Sequence, residues 1–308
     1  MRVTVSVIMP AYDEASNLAE LVPRTLDVLG ALGAAFELIV VDDGSGDDTQ
    51  AVMADLRDLA GVHSLRLRRN SGKSAALSAG IRHARGDVVV LMDADGQDEP
   101  KEIPRLLDAL AGGLDLVTGR RVRRNDRFVK RSTSKVYNAV TAAVTGVSGH
   151  DFNSGLKAMR RELAESLELY GELHRYIPVL AQWSGFQVGE IDVAHHTRLH
   201  GRSKFGRARF WRGFLDLMTV KFLTTWTARP FHLFGGIGVM LGVLGSALLG
   251  WMAVLRATGH AIGNRPALLG GVLLVVVAVQ MISLGLIAEL IVHLRRNANL
   301  DDATVEEP

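Results

Sequence analysis

The stretch Asp87-Val88-Val89-Val90-Leu91-Met92-Asp93-Ala94-Asp95-Gly96-Gln97-Asp98 sets the reading of the whole chain. It opens on a β-branched, apolar run of the kind that fills a buried strand, and it leads straight into carboxylates. In extended backbone, side chains two apart point the same way, so Asp93 and Asp95 converge on one ion. Two carboxylates suit Mg²⁺ or Mn²⁺, which take oxygen ligands and complete their shell with water and substrate phosphates. Gln97, two residues further on, adds an amide oxygen to the same set.

Working outward, β-rich runs recur at Val3–Met9, Phe36–Val41, Ser64–Arg68 and Leu114–Thr118. Helical patterns fall between them at Ser16–Leu32, Thr49–Leu59, Ser74–Ala84 and Pro100–Ala111. Strands alternating with helices imply right-handed crossovers and a mainly parallel α/β sheet, with ligands at the C-terminal strand ends. A second acidic strand end, Asp42-Asp43-Gly44-Ser45-Gly46, follows Phe36–Val41.

Two phosphate-binding schemes are excluded by spacing. Gly72-Lys73-Ser74 resembles the end of a P-loop, but the glycine required five places before Gly72 is Leu67. Gly44-Ser45-Gly46 would start a dinucleotide fingerprint, but its third glycine position is Thr49. A nucleotide bound here needs a metal, rather than a glycine cradle, to hold its diphosphate.

The chain has 308 residues, 35 Lys+Arg against 33 Asp+Glu, and Cys 0. Without cysteine, thiol catalysis, disulfides, thiolate zinc and iron–sulfur sites are excluded. A net charge of +2 speaks against a basic nucleic-acid binder. Mean hydropathy is +0.16 although 22% of residues are charged, so the chain mixes two populations. The apolar one lies late: Pro230–Leu255, in which His232 is the only ionisable side chain, and the uncharged Ala267–Ala288. Each is long enough to span a bilayer, and the short loop between them makes a hairpin. Arg207, Arg209, Arg212, Lys221 and Arg229 upstream, and Arg295 and Arg296 downstream, outnumber Arg256 and Arg265 in the loop. By the positive-inside rule the N-terminal region and both termini are cytoplasmic, and the opening Val3–Met9 run reads as strand rather than signal peptide. The resulting division is an α/β domain at 1–212, an amphipathic interfacial helix at 213–229, a two-span hairpin at 230–296 and a disordered acidic tail at 297–308. Glu289 falls at the end of the second span, where it reaches interfacial water.

Basic residues cluster twice, from Arg120 to Lys135 and from Arg198 to Arg212. The outer members suit anionic lipid headgroups. Arg198, Gly201, Ser203 and Lys204 form a polar, glycine-containing setting that suits a phosphate-gripping loop. His195, His196 and His200 lack the spacing of a metal site.

Taken in order, Val5-Ser6-Val7-Ile8-Met9-Pro10-Ala11-Tyr12-Asp13-Glu14, Val41-Asp42-Asp43-Gly44-Ser45, Asn70-Ser71-Gly72-Lys73 and Asp93-Ala94-Asp95-Gly96-Gln97 resemble family 2 glycosyltransferases of the GT-A fold. The hairpin narrows the resemblance to polyprenyl-phosphate glycosyltransferases, the dolichol-phosphate mannose synthase and GtrB-like group. The resemblance implies that Pro10, Tyr12 and Glu14 line the nucleotide pocket, with Asp42 near the base or ribose. It implies that Asp93, Asp95 and Gln97 hold the metal. Arg120, and Lys130 or Arg131 with Ser134, would grip the acceptor phosphate. Arg198, Ser203 and Lys204 match the loop that closes on the donor phosphates, and Asp151 with Ser154-Gly155 matches a segment near the sugar.

The expected reaction is attack by undecaprenyl- or decaprenyl-type polyprenyl phosphate on the anomeric carbon of a nucleotide-sugar, with inversion. The donor reads as UDP-glucose, with GDP-mannose and UDP-N-acetylhexosamine open, and so is a homo-oligomer. A processive synthase of the same fold would carry a Gln-x-x-Arg-Trp motif, and Gln182-Trp183 lacks its arginine. A non-catalytic membrane adaptor would not retain Asp42, Asp93, Asp95 and Lys204 together.

Overall fold

The computed structural model describes residues 4–121, 151, 154–196, 218–222, 226, 229–262 and 266–303. The chain divides into two compact units, Met1–Val220 and Lys221–Pro308.

The first unit is built on a seven-stranded sheet in the order β3-β2-β1-β4-β6-β5-β7. Its strands are β1 (Val5–Ala11), β2 (Phe36–Asp42), β3 (Val62–Arg66), β4 (Val88–Leu91), β5 (Leu116–Arg121), β6 (Lys157–Arg160) and β7 (Val188–Val193). The first four pair in parallel, β5 pairs in parallel with β7, and β6 runs antiparallel between β4 and β5. The helices α1 (Ala15–Ala31), α2 (Thr49–Leu56), α3 (Lys73–His83) and α4 (Ile103–Ala111) come where the periodicity predicts them, with ends shifted by a few residues. One face of the sheet buries Val5, Val7, Leu38, Val40 and Val90 against Leu18, Leu21 and Leu29 of α1 and Ile103, Leu106 and Leu110 of α4. On the other face α3 lies so close that a Cβ on Gly80 would collide with Ile8.

Three features differ from the sequence expectation. Strand β3 starts at Val62 rather than Ser64, and β5 runs on to Arg121 rather than stopping at Thr118. In β5 the polar Gly119-Arg120-Arg121 continues the ladder because β7 supplies a parallel partner as far as Arg121↔Val193. Strands β6 and β7 were not anticipated.

The topology fixes where a ligand belongs. From β1 the chain moves outward to β2 and β3, then crosses back to β4 on the opposite side of β1. That switch opens a crevice beyond the carboxyl ends of β1 and β4.

The second unit holds two helices, Pro230–Ala257 and Pro266–Ala303. Pro230–Ala257 and Pro266–Leu294 are long and apolar enough to cross a bilayer, with mean hydropathy 2.0 and 2.5. Only 17% of each apolar window is buried, whereas core helices of a soluble protein hide most of theirs. The helices meet through small residues: a Cβ on Gly245 would stand 3.0 Å from the Gly271 carbonyl, and one on Gly238 would stand 2.9 Å from that of Ala278. Glu289 does not simply face solvent, because its Oε2 accepts the Phe231 backbone N–H at 3.1 Å in the first turn of the preceding helix. The second helix continues to Ala303, past the start of the expected disordered tail, since no Gly or Pro interrupts 297–303. Of the interfacial helix expected at 213–229, residues 218–222 are helical and most of the rest lies outside the described residues.

Candidate active site

Beyond β4 the chain turns at 94–96 instead of running on as extended backbone, with Asp93, Asp95 and Gln97 partly exposed and Ala94, Gly96 and Asp98 buried. Gly96 takes a φ of 71°, which turns the chain after Asp95. The Gln97 backbone N–H donates to Asp95 Oδ1 at 3.1 Å, and its side-chain amide donates to the His196 carbonyl at 3.2 Å.

Around Asp93 the structure assembles groups from distant parts of the chain. Lys73, the first residue of α3, donates its ammonium to Asp93 Oδ1. Burial opposes ionisation of the Asp93 carboxyl, but the Lys73 ammonium, with Lys157 and Arg121 behind it, outweighs this and holds its pKa below the ordinary value. Lys157 opens β6 in register with Leu91 and Thr118, and is only 3% exposed. Burial, and then the charge of Lys73, push its pKa down to about 8 against the pull of Asp93 and Asp151. Its ammonium donates to the Ser154 carbonyl. Arg121 grips Asp151 with two bonds, Nε to Oδ2 at 2.6 Å and a terminal nitrogen to Oδ1 at 2.7 Å. Gly155 lies over the acidic cluster, where a Cβ would stand 2.5 Å from Asp93 Cγ and 2.7 Å from Asp98 Oδ2. Asp98 is buried and faces His195 Nδ1 at 3.5 Å.

The second acidic strand end is a structural clamp. Asp42 is fully buried, accepts the Ser45 N–H at 2.8 Å through Oδ1 and faces Arg66 Nε at 3.3 Å through Oδ2. Asp43 accepts the N–H groups of Ser71 and Gly72 at 2.7 and 2.9 Å, which pins the loop leading into α3. Gly44 has a φ of 72°, and a Cβ there would strike the Arg69–Asn70 backbone, so these loops touch. The β1 loop joins them: the Asp13 N–H donates to Ser45 Oγ at 2.9 Å, and the Glu14 N–H to Thr49 Oγ1 at 3.0 Å. Asp13 adopts a φ of 51° to do so. Pro10 sits near the end of β1 opposite Val41, Tyr12 is 36% exposed beside it, and Glu14 accepts from the Asn17 amide.

Of the other residues singled out from sequence, Arg120 pairs with Asp192 of β7 at 2.5 Å, on the opposite side of β5 from Arg121. Asp151 is buried against Arg121. Lys130, Arg131, Ser134, Arg198, Ser203 and Lys204 lie outside the described residues. Lys73, Arg121 and Lys157 are residues that sequence reasoning did not place in the site. Lys73 stands inside the Asn70-Ser71-Gly72-Lys73 motif, Lys157 two residues after Ser154-Gly155, and Arg121 inside the basic run.

The donor set suits a hard divalent cation: all oxygen, one carboxylate kept ionised, and a second, Asp95, two residues on and partly exposed. Among the described residues no group of three His, Asp or Glu is assembled, so a cation here takes its remaining ligands from water and phosphate oxygens.

The fold has known counterparts. The chain resembles glucosyl-3-phosphoglycerate synthase from Mycobacterium tuberculosis, solved with Mn²⁺ and UDP-glucose, at TM-score 0.54 and 23% identity over 72% of this chain and 78% of that one. That likeness establishes the GT-A sheet. It is 38% identical to a dodecaprenyl-phosphate galacturonate synthase of Rhizobium johnstonii, over 97% of this chain and 90% of the relative. It is 39% identical to an undecaprenyl-phosphate 4-deoxy-4-formamido-L-arabinose transferase of Pseudomonas aeruginosa, over 92% of this chain and 84% of the relative. The profile described as glycosyl transferase family 2 matches residues 6–168, from β1 through the Asp93 cluster to β6 and beyond. With the profile spanning every strand that builds the crevice and the relatives aligned almost end to end, the chain belongs to glycosyl transferase family 2 and is a glycosyltransferase.

Proposed function

We propose that this enzyme transfers a sugar from a nucleoside-diphosphate donor to polyprenyl phosphate, with Asp93 and Asp95 holding a divalent cation. The observation that carries the reading is the pair of alternating carboxylates beyond β4, at the switch-point crevice, in a chain whose relatives are named for prenyl-phosphate acceptors. The acceptor phosphate has a second pKa near 6, so at neutral pH it is already an anionic nucleophile and needs little help from a general base. One of its oxygens bonds to the anomeric carbon while the bond from that carbon to the donor's β-phosphate breaks. The electron pair leaves with the nucleoside diphosphate, and in-line attack inverts the centre.

When bound, Mg²⁺ or Mn²⁺ would offset the charge that develops on the departing diphosphate. The protein's own residues do the rest. Pro10, Tyr12 and Glu14 sit on the β1 loop that Ser45 and Thr49 tie to the second acidic strand end, and they would bound the nucleotide pocket. Asp42 supports that pocket from below, and Gln97 completes the cation side. The Arg121–Asp151 pair and Ser154 form a rigid wall on which the sugar would rest. Arg198, Ser203 and Lys204 would close on the donor phosphates, while Arg120, Lys130, Arg131 and Ser134 would take the acceptor phosphate. The two apolar helices would anchor the domain as a hairpin with both termini cytoplasmic, which confines the enzyme to the surface holding its lipid acceptor and raises effective concentration.

For the donor, the relatives' names favour galacturonate or 4-deoxy-4-formamido-L-arabinose over glucose. The deciding experiment incubates the purified full chain with undecaprenyl phosphate, Mn²⁺ and each of UDP-galacturonate, UDP-4-deoxy-4-formamido-L-arabinose, UDP-glucose and GDP-mannose. Mass spectrometry of the lipid fraction should show one polyprenyl-phospho-sugar with release of nucleoside diphosphate. No lipid product from any donor in the panel overturns the reading.

A further inference from the structure

The three cations that act on Asp93 are held very differently. Arg121 is locked by two bonds to Asp151, and Lys157 is buried with its ammonium on the Ser154 carbonyl. Lys73 has a side chain 32% exposed and meets an Asp93 side chain that is 30% exposed. Its backbone is fixed, because Asp43 pins Ser71 and Gly72 immediately before it. Its four-carbon stem is not, and an ammonium is a point charge that a carboxylate releases more readily than a forked guanidinium.

We propose that Lys73 is a positioning residue that holds Asp93 while no divalent cation is bound and must be displaced for one to bind, so that cation and nucleoside diphosphate load together. The proposal rests on the reading of Asp93 and Asp95 as the cation's ligands. An ammonium and a divalent cation cannot share Asp93 Oδ1 without strong repulsion at contact distance. Displacement alone would leave Lys73 beside a new positive centre and without the Asp93 carboxylate that held it. A diphosphate arriving with the cation supplies that anion within reach of the pinned start of α3. Free cation therefore binds weakly, and donor and cation strengthen each other by the same factor.

The test is a Mn²⁺ titration of the full chain in detergent, followed by electron paramagnetic resonance of free Mn²⁺, with and without UDP. The wild type should bind Mn²⁺ weakly alone and at least about tenfold more tightly with UDP, a coupling of ordinary allosteric size. Lys73→Met and Lys73→Gln should each bind Mn²⁺ alone at least about tenfold more tightly than wild type and gain less from UDP. Lys73→Arg, which keeps the charge, should restore weak binding. If the two neutral variants keep the wild-type thermal transition yet bind Mn²⁺ alone no more tightly than wild type, the proposal fails. If Asp93→Asn binds Mn²⁺ as wild type does, the assignment of Asp93 as ligand fails, and the proposal with it.

Discussion

In the unit that ends at Val220, leucines and valines are hidden inside the sheet while carboxylates and cations gather at its edge. In the unit from Lys221 onward, Val243, Trp251, Leu273 and Ile291 face outward, and the carboxylate of Glu289 is spent on a backbone N–H. Both units obey one rule: a polar group away from water must find a partner. In the first unit the partners are side chains brought together by topology, so a reactive cluster results. In the second they are almost entirely the helices' own backbone bonds, so the outcome is an inert, apolar surface. The proposed chemistry and the proposed anchoring thus fall in different units, and mutations should separate them.

The largest effect should come from Asp95→Ala. Loss of one of two carboxylates for the cation should lower transfer by at least about a thousandfold, several kcal/mol of barrier. The protein should still sediment with membranes. Product formation with radiolabelled donor checks the first half and fractionation the second, and normal transfer would break the metal assignment. Arg121→Ala should cost about 3–5 kcal/mol of stability in the α/β unit, because it removes the two-bonded partner of the buried Asp151 carboxylate. Thermal unfolding of the full chain in detergent should show that transition lowered while the helical transition stays in place. Gly155→Ala should act on turnover more than on folding, since its Cβ meets the Asp93 and Asp98 carboxylates and displaces them. We expect transfer lowered about tenfold to a hundredfold, the usual consequence of moving a reacting geometry by about 1 Å. The smallest effect belongs to the other unit: Glu289→Ala leaves the Phe231 N–H without its acceptor, at about 1 kcal/mol. Only the helical transition should move, and a fall in sugar transfer larger than about twofold would contradict the separation of roles.

Much of this contrast is legible in the chain itself. The acidic segment directly after β4 follows from the apolar run before it, although it turns at 94–96 rather than staying extended, and the apolar run from Pro230 became a helix starting at the same residue. Arg121 shows where reading stops. Whether Arg120 or Arg121 faces the carboxylates depends on the parity of β5 against its neighbours, and a one-residue slip exchanges them. That register is set by pairing with β6 (Lys-Ala-Met-Arg) and β7 (Val-Gly-Glu-Ile-Asp-Val), whose interspersed polar residues give no apolar run to announce a strand. Lys73 likewise stood in a failed P-loop and in the Asn70-Ser71-Gly72-Lys73 motif with no role attached, because its partner lies 20 residues away, beyond a strand.

The sequence by itself determined the α/β alternation, the acidic strand ends, the absence of thiol chemistry and the two apolar helices. Each of these depends on local periodicity or composition, which the backbone enforces wherever the segment lies. Only the tertiary structure decided that Lys73, Arg121 and Lys157 surround Asp93, that Asp42 and Asp43 clamp loops, and that Glu289 meets Phe231. Those contacts join residues far apart in the chain, and strand order, register and helix packing bring them together.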